Sequence, residues 1–271
     1  MKTNAAVVLA TLICLSVGAT AYSQQINQFT CEFAWADIDV AVQINGFDCG
    51  GGGTNGGFSG STVSHLVRNG TNMVNICVSP EVTNMLSRFS FELKSKNVNA
   101  SSSAVMAETS LISISNLSST TTSMTFVVQG HSITNFPWVS LTSSALTSDD
   151  ITAITNQVMI FRDALVRKDV AAVSQLLAPK TRHMSVAYGC SESASTVQQQ
   201  AFFGGFFASA AYTVDLVDVA AIKAIKKPYR DYASVLIDDH SPIVIHGNDD
   251  RKLTIPMNFV KLTNGVWSVM F

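Results

Sequence analysis

Charge is scarce in this sequence: 13% of its 271 residues are Asp, Glu, Lys or Arg, and the formal net charge is −2. So little basic surface leaves no electrostatic footprint for nucleic acid and no polybasic patch for an anionic membrane. Beyond the first two dozen residues no apolar run is long enough to cross a bilayer, so no further membrane span is expected. No two cysteines have CxxC spacing, which argues against a zinc site or a thioredoxin-like redox centre. No nucleophile–base set or metal motif stands out, and neither a metal nor a cofactor is expected.

Glycine is the opposite case. Eight of the fifteen residues from Gly46 to Gly60 are glycine. A phosphate cradle would need a preceding strand, a following helix and a Gly-Lys-Ser/Thr or Gly-x-Gly-x-x-Gly pattern. Here no Lys or Arg falls between Gly46 and Gly60, and Thr62 to Val67 reads as a strand. A flexible loop is the expectation, and nucleotide binding is set aside.

The first segment has the three parts of an export signal. Lys2 supplies the charge, Ala5 to Ala21 an apolar core, and either Ala19-Thr20-Ala21 or Ala21-Tyr22-Ser23 a small-x-small cleavage site. The core is shorter than the roughly 20 residues a spanning helix needs. Residues 1–23 therefore read as a signal peptide and the product as secreted or periplasmic, with an Ala-rich signal that leans toward a Gram-negative periplasm. In an oxidising compartment the remaining Cys31, Cys49, Cys77 and Cys190 allow one or two disulfides. The three in the first half are the favoured partners, in a pairing the sequence leaves open. Asn69-Gly70-Thr71, Asn99-Ala100-Ser101 and Asn116-Leu117-Ser118 fit the glycosylation triplet and would matter only in a eukaryotic secretory route.

About 248 residues remain, enough for two domains of ordinary size. Residues 24–147 alternate with period two. Phe33 and Trp35 alternate, the phase slips at Ala36-Asp37, and Ile38, Val40, Val42 and Ile44 resume. Val63 to Val67, Met73 to Val78, Phe89 to Leu93, Leu111 to Ile114 and Met124 to Val128 come next. Turn signals such as Asn45-Gly46 and Asn69-Gly70 separate them, which predicts an antiparallel β-sandwich. The Asn-Gly turns leading into an apolar strand resemble immunoglobulin-like or jelly-roll accessory domains over about 35 residues, a likeness of fold alone.

Residues 148–271 change period. Ser148-Asp149-Asp150 opens a helix carrying Ile151, Ile154, Val158, Phe161 and Leu165 on one stripe. Asp169 caps a second, short helix that Pro179 closes, and a third runs from about Ser195 to Ala210, weakened by Gly204-Gly205. Strands succeed them over Tyr212 to Val219, Tyr229 to Ile237, Ile243 to His246, Leu253 to Leu262 and Val266 to Phe271, with a hairpin at Asn264-Gly265.

That order, with Asp169 to Val173, Leu176 to Pro179 and Phe259 to Trp267, resembles the nuclear-transport-factor-2-like (SnoaL / ketosteroid-isomerase-like) cone fold. The resemblance implies an α+β domain in which three helices close a curled antiparallel sheet. It also implies a cone interior that holds a small apolar ligand, hosts acid–base chemistry or is simply packed, and family members that pair as homodimers.

The catalytic candidates in that setting are His183, Tyr212 and Tyr232, with Asp215 and His246 also in view. Tyr212 and Asp215 fall on opposite strand faces, which weakens them as a base-and-donor pair. Phe203, Phe206, Tyr188 and Tyr212 are the ligand-binding candidates, the four phenylalanines of Phe202-Phe203-Gly204-Gly205-Phe206-Phe207 lining either a cavity mouth or a bend in a core helix. Asp238-Asp239-His240 looks like a metal cluster, but its neighbours alternate in direction and a turn before Pro242 accounts for it. The balance favours a non-catalytic protein that binds a small apolar ligand or a protein partner. An isomerase, dehydratase or hydrolase is the alternative.

Overall fold

The computed structural model describes residues 27–36, 38–52, 56–79, 88–97, 103–113, 120–141, 145–209, 213–215, 218–225, 232–236, 241–246 and 252–270. Residues 1–26, with the expected export signal, lie outside these. The chain is α+β: antiparallel strands in sheets come first, then four helices and further antiparallel sheets. Two compact units emerge. One takes in the described residues up to Phe136 together with Ala187–Gly189; the other comprises Pro137–Val186 and Cys190–Phe271. The segment from Pro137 to Thr147 thus belongs with the helical unit, and Val139 N–H donates to Lys261 O.

The N-terminal unit holds eight strands: β1 (Asn27–Ala36), β2 (Asp39–Ile44), β3 (Phe47–Gly52), β4 (Gly57–Thr62), β5 (Gly70–Ser79), β6 (Arg88–Asn97), β7 (Ser103–Ser113) and β8 (Thr120–Val128). They form two four-stranded antiparallel sheets in the orders β4-β1-β6-β7 and β3-β2-β5-β8. Alternation decides which side is buried. Phe29, Cys31 and Phe33 of β1 and Phe89, Phe91 and Leu93 of β6 are buried from one sheet; Val40, Val42, Ile44, Val74 and Ile76 are buried from the other. The phase slip at Ala36-Asp37 is the break between β1 and β2, which belong to different sheets. Asn45 and Gly46 both have positive φ (50° and 83°), as a two-residue hairpin turn requires.

Two expectations fail here. Val63 to Val67 is not a strand but a short 3₁₀ turn over Ser64–Leu66, because Ser64 turns inward and its hydroxyl accepts from Phe29 N–H. The described residues of the glycine-rich stretch are not a loop either: they make most of β3 and β4. Gly50, Gly52 and Gly57 lie against aromatic rings. A Cβ on Gly50 would stand 2.6 Å from Phe33 Cζ, and one on Gly52 would overlap the indole of Trp35. The missing side chains let the rings of β1 rest directly on the strand backbone.

The C-terminal unit opens with α1 (Ser148–Val166), capped by Thr147 in a reciprocal capping box with Asp150. Ile154, Val158, Phe161 and Leu165 are buried as the stripe predicts, but Ile151, in the first turn, is 39% exposed. In α2 (Val170–Leu176) Asp169 is the N-cap, accepting from Ala172 N–H at 2.9 Å. Then comes α3 (Ala178–Tyr188), a fourth helix where three were expected. Pro179 sits in its first turn, where a missing N–H costs nothing, and so it starts a helix instead of stopping one. The buried side of α3 is largely polar (Thr181, His183, Ser185), so no apolar stripe announced it. The last helix, α4 (Glu192–Ser209), runs straight through Gly204-Gly205, with no atom within 4 Å of an added Cβ at either.

The strands β9 (Thr213–Val214), β10 (Lys223–Ile225), β11 (Ala233–Leu236), β12 (Ile243–His246), β13 (Lys252–Ile255), β14 (Met257–Lys261) and β15 (Trp267–Val269) complete the unit. They make two sheets, β10-β11-β14-β15 and β13-β12-β9, where one bent sheet was expected. The expected strand Leu253 to Leu262 is cut at Pro256, which has no N–H for a ladder, and the chain passes there from one sheet to the other. The Asn264-Gly265 hairpin forms as a three-residue connection: Leu262 N–H donates to Val266 O, Gly265 N–H to Leu262 O, and Gly265 has φ 84°.

Candidate functional site

Of the three catalytic candidates, His183 and Tyr232 are among the described residues. His183 is 5% exposed on α3, its ring edge-on to Trp138 with centroids 4.8 Å apart. Tyr232 is buried just before β11. Tyr212 and the Asp238-Asp239-His240 trio lie outside the described residues. Tyr188 belongs with the N-terminal unit, where its hydroxyl is 2.9 Å from His65 Nδ1 and donates to Thr62 O at 3.3 Å.

Asp215 and His246 do meet. Register places His246 of β12 opposite Thr213 of β9, and Asp215, one residue past β9, turns its carboxylate to His246 Nε2 at 3.0 Å. Nearly half of each side chain is exposed, so water screens the pair.

The phenylalanines divide by helical phase. Phe203 and Phe207 are buried in the apolar cluster they share with Phe161 and Leu165 of α1 and Phe259 of β14. Phe206 is half-buried and stacks on Phe202 with ring planes 6° apart, while Phe202 is 39% exposed. Phe203, offered by the sequence as a ligand contact, is therefore a core residue, and Phe202 is the ring that reaches solvent.

The same outward half of α4 carries other exposed residues that no motif in the sequence announced. Val197, 63% exposed, lies on the same helix, and Ala201, Gly205 and Ala208 are exposed with them. No charged residue occurs between Glu192 and Asp215. The available signal was that uncharged run, set beside a helical phase that sends one half of it outward.

Polar anchors hold the scaffold behind α4. Ser185 of α3 donates to Ser195 of α4 at 2.9 Å, both buried. The Asp150 carboxylate accepts from Lys261 Nζ and Trp267 Nε1, each at 2.9 Å, and from Thr147 N–H at 3.1 Å. Burial pushes this carboxyl upward, but the bonds from Lys261, Thr147 and Trp267 outweigh it and hold the group well below the usual carboxylate range. Lys180, in the first turn of α3, is half-buried, and burial pulls its ammonium below the ordinary lysine range.

Among the described residues no group of three or more His, Cys, Asp or Glu side chains is placed to hold a metal ion, and no helix is long and apolar enough to cross a membrane. No protein family, curated protein or solved structure matches the chain.

Proposed function

We propose that this is an exported, non-catalytic binding protein whose C-terminal unit docks a protein partner through the outward face of α4. The carrying observation is the exposure of Val197 and Phe202 on a helix with no charge after Glu192. Apolar surface of that kind, on a helix whose opposite side is fixed into a core, marks an interaction site more often than a catalytic one. A protein partner is favoured over a small apolar ligand because Phe203 and Phe207, which would have lined a cavity, are packed among core side chains. The relation to the cone-fold family is part of the same proposal, supported by helices preceding antiparallel strands and a closing hairpin.

A second reading, acid–base catalysis, has the Asp215–His246 pair in its favour. A substrate screen separates the two: turnover lost on His246→Gln supports catalysis, and turnover absent from the parent supports binding. Site-specific photo-crosslinking from α4 tests the docking face itself.

A further inference from the structure

From the placement of two thiols in the N-terminal unit, we infer that Cys31 and Cys49 form a disulfide that ties its two sheets together. Their Sγ atoms lie 3.5 Å apart. Cys31 is fully buried in β1, on the core side between Phe29 and Phe33. Cys49 reaches it from the other sheet, two residues along β3 from the buried Phe47 and so on the same side of the strand. The strand also carries a bulge there. Val42 pairs with Gly50 and Gln43 with Asp48, so Cys49 is the extra residue of β3, with no partner on β2. Strict alternation from Phe47 already turns Cys49 to the core side, and the bulge brings Gly50 to that side as well, against the ring of Phe33.

The surroundings hold both thiols where a bond needs them. Cys49 Sγ donates to Val42 O at 3.3 Å, and Cys49 O accepts from Ser61 Oγ at 3.1 Å. Ser61 is the residue that faces Cys31 across β4 and β1. The bond joins β3, an edge strand of one sheet, to β1 of the other, where the edge strand β4 lies beside it. The two edge strands are rich in glycine and bring few side chains to the core, so a covalent tie does there what packing cannot.

The other cysteines are differently placed. Cys77 pairs opposite Ala41, out of phase with Val74, Ile76 and Val78, which fill the core, and Cys190 belongs to the C-terminal unit.

Formation is a two-electron oxidation. A thiolate displaces one half of a small-molecule disulfide of the glutathione type, and the second thiol displaces the other half, leaving the protein disulfide and two small thiols. Burial, reinforced by the Cys31 thiol and the Asp48 carboxylate, raises the Cys49 pKa in the folded dithiol. Exchange is therefore slow once the sheets close, and the bond forms during folding.

The test is a linkage map of the full chain, refolded in a glutathione redox buffer, alkylated, and digested with chymotrypsin without reduction. The expected result is a mass in which the Cys31 and Cys49 peptides are joined and unlabelled, with Cys77 and Cys190 alkylated. Full labelling of both Cys31 and Cys49, or a bridge involving Cys77 or Cys190, overturns the inference. In urea unfolding, reductant should lower the midpoint of the parent and of Cys77→Ser while leaving Cys31→Ala and Cys49→Ala unmoved. A parent midpoint indifferent to reductant also overturns it. The mapping uses the parent chain, so it holds even where a variant fails to fold.

Discussion

The Asp150 carboxylate accepts a 2.9 Å hydrogen bond from the indole Nε1 of Trp267, joining the first turn of α1 to β15 at the far end of the unit's sequence. Lys261 Nζ shares the same oxygen. One side chain thus caps a helix and fixes the closing hairpin. Asp150→Asn should cost about 2 kcal/mol at neutral pH, the scale of a lost cap and a charged hydrogen bond. The pH dependence has a definite sign. The folded-state pKa is depressed, so this contribution is fully present above the unfolded value of about 3.9 and is lost as pH falls below it. Unfolding midpoints measured between pH 6 and pH 3 should fall more steeply for the parent than for the variant.

His131 gives a second acid-sensitive point, in the N-terminal unit. Its Nε2–H donates to Ser64 O at 3.0 Å and its ring stands edge-on to Phe29. Burial pushes its pKa below the ordinary histidine range, against the opposing pull of hydrogen bonds to Ser64 and Val67. Unfolding then takes up a proton, so the stability owed to the neutral ring is present above about pH 6.5 and erodes below it. Urea midpoints at pH 7.5 and 5.5 should separate in the parent and draw together in His131→Gln.

Glycines with opposite surroundings predict opposite substitutions. Gly52→Ala drives a methyl group into the Trp35 indole and should destabilise by about 2 kcal/mol. Gly205→Ala meets nothing within 4 Å inside a helix and should stabilise by up to about 1 kcal/mol. Thermal or urea unfolding of the two variants checks both signs.

Adjacent phenylalanines should part in the same way. Phe203→Ala empties a core position and should cost about 3–5 kcal/mol. Phe202→Ala removes a ring already 39% exposed and should stay under about 1 kcal/mol while weakening partner binding. Equal losses of stability would place both rings in the core.

Much of the scaffold was legible because it rests on local rules. Alternation through Val40, Val42 and Ile44, the stripe from Ile154 to Leu165, the Asp169 cap and the Asn45-Gly46 turn all read directly from residue type and spacing. The failures are tertiary. Gly50 and Gly52 of β3 are explained only by rings that approach from another strand, and the meeting of Cys49 with Cys31 depends on contact between two different sheets. The buried face of α3 mixes Thr181, His183 and Ser185 with Met184 and Ala187 and carries no apolar period. Of the proposed docking face, Phe202 was visible as one of four phenylalanines, but only the phase of α4 shows which ring is outward.

The most direct measurement is photo-crosslinking in the organism that makes the protein, with a benzophenone amino acid at position 197 and, as control, at the exposed Asn156 of α1. A discrete adduct from position 197, absent from 156 and lost on Phe202→Asp, is the predicted result. Twice the chain's mass would identify a second copy as the partner, and any other mass a different protein. No adduct from position 197, or the same adducts from both positions, would contradict the docking face on α4.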